Sequence, residues 1–167
     1  VSTAYAPEEW KDLFVAVAGA SAALAGLLFV AVSINVERII KFEGLPERAL
    51  EALTMLLVPL VVSIAGLMPG QSHVAFGIEL LAIAAAMVLI LVRLPVARHL
   101  PEGVETPSQY VLGRQVVRLT GTVLLAIGAL AELFAVAGGL YWVAAAIVAL
   151  TLGAVVNAWV LLIEILR

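Results

Sequence analysis

The chain has 167 residues, of which 64% are hydrophobic and 13% charged, and its mean hydropathy is +1.17. A soluble domain must still cover itself with polar groups, so this composition excludes a water-soluble globule and makes hydrocarbon part of the solvent. The net charge of −3 comes without a basic cluster, which argues against nucleic acid, and the lack of cysteine excludes disulfides, thiolate metal sites and iron–sulfur clusters.

About 20 helical residues, at about 1.5 Å each, cross a hydrocarbon core of about 30 Å. Five stretches reach that length: 13–36, 49–68, 74–94, 117–138 and 140–165. The fold class expected is all-α, a polytopic transmembrane bundle forming a single membrane domain over 1–167. The opening VSTAYAPEEW is polar and acidic and lacks the basic start and cleavage site of a signal peptide, so the first span is expected to stay in the protein.

In the first span Ala18, Ala22 and Gly26 recur every four residues, flanked by Gly19, Ala23 and Ala25. A bare helix side lets another backbone approach closely, and such packing drives helix association in lipid. The rest of the chain is expected to gather on this helix, or a second copy to join along it, with pore lining as the alternative. The span ends in Ser33, Asn35, Glu37 and Arg38, and 36–42 is expected to continue as an interfacial turn with Glu37 and Lys41 one turn apart. Gly44 and Pro46 then open the second helix, in which Pro59 is expected to make a kink.

The turn Pro69-Gly70-Gln71-Ser72 joins the second and third spans. Thr106-Pro107-Ser108-Gln109 has capping-box spacing and should start a helix running to Gly138, where Gly138-Gly139 make a tight hairpin into the fifth span. That last span repeats the small-residue spacing at Ala145, Ala149 and Gly153, followed by Asn157.

Arg38, Lys41, Arg48, Arg93, Arg98, Arg114, Arg118 and Arg167 fall on one side of these spans and Lys11 on the other. The positive-inside rule then sets the N-terminus outside and the C-terminus in the cytoplasm. Trp10, Tyr141 and Trp142 sit at the outer boundary and Trp159 at the inner one, as aromatic belts do.

Two acids, Glu79 and Glu132, lie within the third and fourth spans, each about 10 Å below the outer surface by helical rise. Acids at that depth should face protein or water, and a close pair could share a proton or hold a cation. His73 stands at the same mouth. Towards the cytoplasmic side fall Ser33, Asn35, Glu37, Arg114, Arg118 and Asn157, a polar set suited to locking the bundle or forming an inner gate. His73 and His99 are placed at opposite faces, so they cannot ligate one haem. No metal-ligand motif, phosphate loop or nucleophile motif is present, which points away from an enzyme, and no cofactor or metal is expected.

The run Gly19-Ala20-Ser21-Ala22-Ala23-Leu24-Ala25-Gly26-Leu27-Leu28-Phe29-Val30-Ala31-Val32-Ser33-Ile34-Asn35 resembles the first helix of a group of short bacterial multi-pass membrane proteins, some labelled modulators of a membrane-bound AAA protease. The resemblance implies a bacterial inner-membrane protein and carries over no functional residue. The function expected is an oligomeric ion- or proton-conducting channel or transporter. The alternative is a non-catalytic accessory or scaffold subunit of a larger membrane complex, and a third reading is lipid or quinone binding. The expected partners are the lipid bilayer, further copies of the chain and, under the alternative, a membrane complex.

Overall fold

The structure is a computed structural model. It describes residues 3–42, 44–93 and 108–166, with the side chains among them other than those of 108–115, 117, 118 and 164–166. Every regular element among the described residues is helical. Two 3-10 turns, Thr3–Tyr5 and Pro7–Trp10, lead into α1 (Lys11–Ile34). Then follow a single turn, α2 (Val36–Ile39), and the helices α3 (Leu45–Gly66), α4 (His73–Arg93), α5 (Ser108–Leu133) and α6 (Gly139–Leu166).

Four helical stretches among the described residues are long and apolar enough to cross a membrane: Pro7–Ile34, Leu45–Gly66, His73–Arg93 and Gly139–Ile163. The apolar part of α5, Leu119–Leu133, is shorter. The chain is therefore an all-helical protein of membrane-embedding composition.

The helix ends follow local chemistry. Asn35 closes α1 by donating its side-chain amide to the Ala31 carbonyl at 2.8 Å, a bond that competes with helix continuation. The helix does not run on through Phe42 as expected; it breaks at Asn35, and α2 is one turn that buries Ile39. Gly44 is left-handed at φ 85°, and Pro46 lies in the first turn of α3, where a missing N–H costs nothing. Pro59 lies inside α3, which continues through it to Gly66. The capping-box residues Thr106 and Pro107, along with Arg98 and His99, lie outside the described residues; α5 begins at Ser108.

The hairpin between α5 and α6 also differs from expectation. Helix α5 stops at Leu133, five residues before Gly138. Ala135 N–H donates to Glu132 O at 3.2 Å and Val136 N–H to Ala131 O at 2.9 Å, the paired bonds of a Schellman motif. Ala135 holds the left-handed position at φ 52°, followed by Ala137 at 55° and Gly138 at 72°. Glycine is the usual residue there because a Cβ crowds the carbonyl, so the two alanines carry backbone strain.

Helices α3, α4, α5 and α6 form an antiparallel ring in which α3 and α5 each touch α4 and α6, while α1 lies outside against α3. The first span is not the centre of packing. Only 22% of the apolar stretch containing α1 is buried, against 67% for α3. The buried side of α1 is Phe14, Ser21, Ala25 and Leu28, spaced as one helix face. Ala22, Gly26 and Gly19 face outward, Ala18 is half-buried, and a Cβ at either glycine would meet nothing within 4 Å.

Close backbone approach occurs elsewhere. A Cβ at Gly121 would lie 2.5 Å from Leu150, and one at Gly128 would lie 2.9 Å from Val143, so these α5 glycines, two turns apart, set the α5–α6 spacing. On α6, Gly153 is buried in the bundle, Ala149 is half-buried and Ala145 is exposed.

Candidate functional site

Three connections meet at one end of the bundle, called here the turn end: the α3–α4 turn, the α5–α6 turn and the segment Thr3–Trp10. Glu132 stands there on the last turn of α5. Gly121, Leu125, Gly128 and Glu132 are spaced four, three and four residues apart, which places the acid on the face that α5 turns toward α6.

Its side chain is 0% exposed. Both carboxyl oxygens are shut away from solvent and neither has a hydrogen-bond partner. The carboxyl leans over Gly139, the first residue of α6; a Cβ at Gly139 would collide with Oε2 and lie 2.7 Å from the Glu132 backbone nitrogen. Unpaired N–H groups give that end of a helix a partial positive charge, a field favourable to the acid. An unsatisfied polar group in such a place costs about 1–3 kcal/mol.

His73, at the start of α4, approaches the same residue from its backbone side. Its Nδ1 lies 3.1 Å from the Glu132 carbonyl oxygen. A carbonyl only accepts, so Nδ1 carries the proton and donates. One turn later Gly77 lets α4 come against α5, since a Cβ there would lie 2.8 Å from the Leu133 backbone nitrogen.

The N-terminal segment is bonded to the turn end. The Tyr5 hydroxyl accepts a hydrogen bond from Gly138 N–H at 2.9 Å. Trp10 meets Tyr141 edge to face, with ring centres 5.0 Å apart. Trp10 Nε1–H donates to Thr3 O at 2.8 Å and Trp142 Nε1–H to Ala137 O at 3.0 Å.

Glu79 is differently placed. It is half-buried and accepts a hydrogen bond from Gln71 Nε2 of the α3–α4 turn. The depth expected for Glu132 by helical rise from Gly138 does not hold, since α5 stops at Leu133; no hydrogen bond joins the two acids, and their settings are unlike.

Of the polar set at the opposite end, the described side chains bond separately. Ser33 is exposed and donates to Phe29 O at 2.8 Å, Asn35 bonds within α1, and Glu37 is exposed. Asn157 is buried on α6 and donates to the Met55 sulfur on α3 at 3.5 Å. The side chains of Arg114 and Arg118 lie outside those described.

Arg48 and Glu51, in the first turns of α3, do not stand out among the charges of the sequence; both are buried and neither lacks a partner. Their signal was available: charges inside a spanning helix belong on its protein-facing side. Thr122 donates to the Met87 sulfur at 3.5 Å between α5 and α4, a second polar tie through a thioether.

No group of three His, Cys, Asp or Glu side chains that could hold a metal occurs among the described residues. Between α1, α3 and α6 runs an apolar groove of about 260 Å³, bordered by Leu24, Leu28, Leu56, Ala158 and Trp159. No family model, no curated protein and no solved structure matches the chain.

Proposed function

We propose that the chain is a five-span bacterial inner-membrane protein that assembles with copies of itself and conducts protons, with Glu132 as the proton-carrying group. The observation that carries this reading is the enclosure of that carboxyl, 0% exposed and without a partner on either oxygen. An ionisable group held inside a membrane bundle is costly and marks a functional position. The cargo is a proton rather than a metal ion because a bare cation needs about six oxygen ligands, and Glu132 brings one carboxyl with no second donor bonded to it. Glu79 with Gln71, and His73, stand at the same end as groups of the entrance.

In this reading α5 also spans, as the fourth of five, since its 26 residues reach about 39 Å. Arg38, Lys41, Arg48 and Arg93 lie at the end away from the turns, which supports a cytoplasmic side there and an outer-surface position for Glu132. The outward face of α1, bare at Gly19, Ala22 and Gly26, is the seam between copies. The resemblance of Gly19–Asn35 to short bacterial multi-pass proteins supports the inner-membrane location.

Proteoliposomes with an internal pH dye test the proposal. Glu132→Gln should lower proton flux at least about tenfold, a barrier rise of about 1.4 kcal/mol, and Glu79→Gln should lower it less. Wild-type flux equal to that of empty liposomes, or flux untouched by Glu132→Gln, ends this reading.

The exposed face of α1 also favours a second reading, a non-catalytic accessory subunit whose partner in a larger membrane complex covers that face. Gentle extraction from native membranes separates the two, because a homo-oligomer without other chains counts against the accessory role.

A further inference from the structure

A carboxyl that exchanges protons must meet water, yet Glu132 is 0% exposed. The helix ring is not alone at the turn end, for the N-terminal segment bonds there too. The segment Thr3–Trp10 lies across that end with Ala4 and Pro7 buried. It is fastened at Tyr5, whose hydroxyl accepts the Gly138 N–H at 2.9 Å, and at Trp10, whose ring meets Tyr141 at 5.0 Å. The bond from Trp10 Nε1–H to Thr3 O, 2.8 Å long, ties the segment into a closed loop.

Beside it lies the strained turn. Ala135 and Ala137 are left-handed at φ 52° and 55°, and both are exposed. Gly138, which Tyr5 grips, is next to Gly139, over which the Glu132 carboxyl leans. The contact that holds the segment down and the residue that makes room for the acid are thus neighbours in the chain. Elements held by few bonds at an exposed end open ahead of the bundle. A turn that stores backbone strain has a looser conformation to move into once the contact at Gly138 lets go.

We propose that Thr3–Trp10 is a strap that seals Glu132 from the water at the turn end, and that its release from Gly138 and Tyr141 opens the carboxyl to water and protons. This rests on Glu132 as the proton-carrying group, but its content is access rather than flux. His73 is the other titratable side chain bonded at the site, and it grips the Glu132 carbonyl from the α4 side, away from the strap. Opening at the strap therefore leaves the α4–α5 contact in place.

Because the chain has no cysteine, Glu132→Cys provides a single target in the whole protein in liposomes. A charged thiosulfonate reagent should modify Cys at this position slowly when the strap is intact. Adding Tyr5→Phe should speed modification roughly fivefold, the population change expected from one lost hydrogen bond, and Trp10→Ala should speed it further. Met68→Cys, at an exposed turn residue, should react alike in all three backgrounds.

Hydrogen exchange covers the native acid: in Tyr5→Phe with Glu132 retained, the amides of 133–139 should exchange faster and those of α4 should not. Equal modification rates at position 132 in all backgrounds, or unchanged exchange at 133–139, overturn the strap. Faster modification without proton flux keeps the strap and removes the transport reading. Flux that depends on Glu132, with modification indifferent to Tyr5 and Trp10, does the reverse.

Discussion

Helices α1 and α3 lie against each other and invert what their compositions suggest for a protein in water. Between Asp12 and its end at Ile34, α1 has no charged residue, yet 22% of its apolar stretch is buried. Helix α3 holds Glu47, Arg48, Glu51, Thr54, Ser63 and an internal proline, and 67% of its apolar stretch is buried. In water the more apolar helix would take the interior. In hydrocarbon the lipid tails solvate apolar side chains as well as another helix does, while polar side chains need protein around them. The interior of this bundle is therefore marked by where its polar residues stand.

The largest test of that contrast compares two phenylalanines of α1. Phe14 packs on Gly66 and lies 5.9 Å from Phe76, while Phe29 is 63% exposed. Phe14→Ala leaves a cavity between α1, α3 and α4 and should cost about 3 kcal/mol. Phe29→Ala leaves a gap that lipid fills and should change stability by less than about 0.5 kcal/mol. Equilibrium unfolding in bicelles measures both, and equal losses would mean that α1 is enclosed on its outer side as well.

The same contrast explains what could be read from the chain. Helical class and the approximate limits of the helices follow from hydropathy and turn residues, because a bilayer demands long apolar helices whatever their neighbours. Which helix is central did not follow. The stripe Ala18, Ala22 and Gly26 is conspicuous, but Ala22 and Gly26 face outward, while the α5–α6 approach runs through Gly121 and Gly128. Spacing reveals that two residues share a face but not which face meets protein.

Polar residues supply the missing direction. Glu132 lies four residues beyond Gly128 and on the same side, so acid and seam together point inward. Glu79 shows the limit of counting depth along a helix: the count matches it with Glu132, yet it pairs with Gln71 and is half-buried. The Schellman ending at Ala135 was hidden because alanine sits where glycine is the expected signal.

A matched pair of glycines gives a test of intermediate size. A Cβ at Gly66 of α3 would lie 2.5 Å from the Phe14 ring, whereas a Cβ at Gly26 of α1 would meet nothing within 4 Å. Gly66→Ala should destabilise the fold by about 1–3 kcal/mol through overpacking. Gly26→Ala should stabilise the isolated chain by up to about 1 kcal/mol, because alanine loses less backbone freedom in a helix. The signs are opposite for one chemical change. A loss at Gly26 that appears only in the assembled particle would place a second backbone on that face.

The smallest effect belongs to the hydroxyls, and it decides whether α3 tolerates its polar groups or uses them. Ser33 of α1 is exposed and bonds to its own helix, so Ser33→Ala should leave stability unchanged. Thr54 of α3 donates to Leu50 O at 2.8 Å inside the bundle, so Thr54→Val should cost about 1 kcal/mol. Ser63 of α3 is 0% exposed with an Oγ that has no partner, so Ser63→Ala removes an unsatisfied group and should gain up to about 1 kcal/mol. Thermal unfolding of the three variants in one detergent ranks them. A loss at Ser63 as large as that at Thr54 would show that the hydroxyl holds a partner which the interior alone supplies, such as a bound water. The polar residues of α3 would then be ties that keep it at the centre, rather than groups that merely fit there.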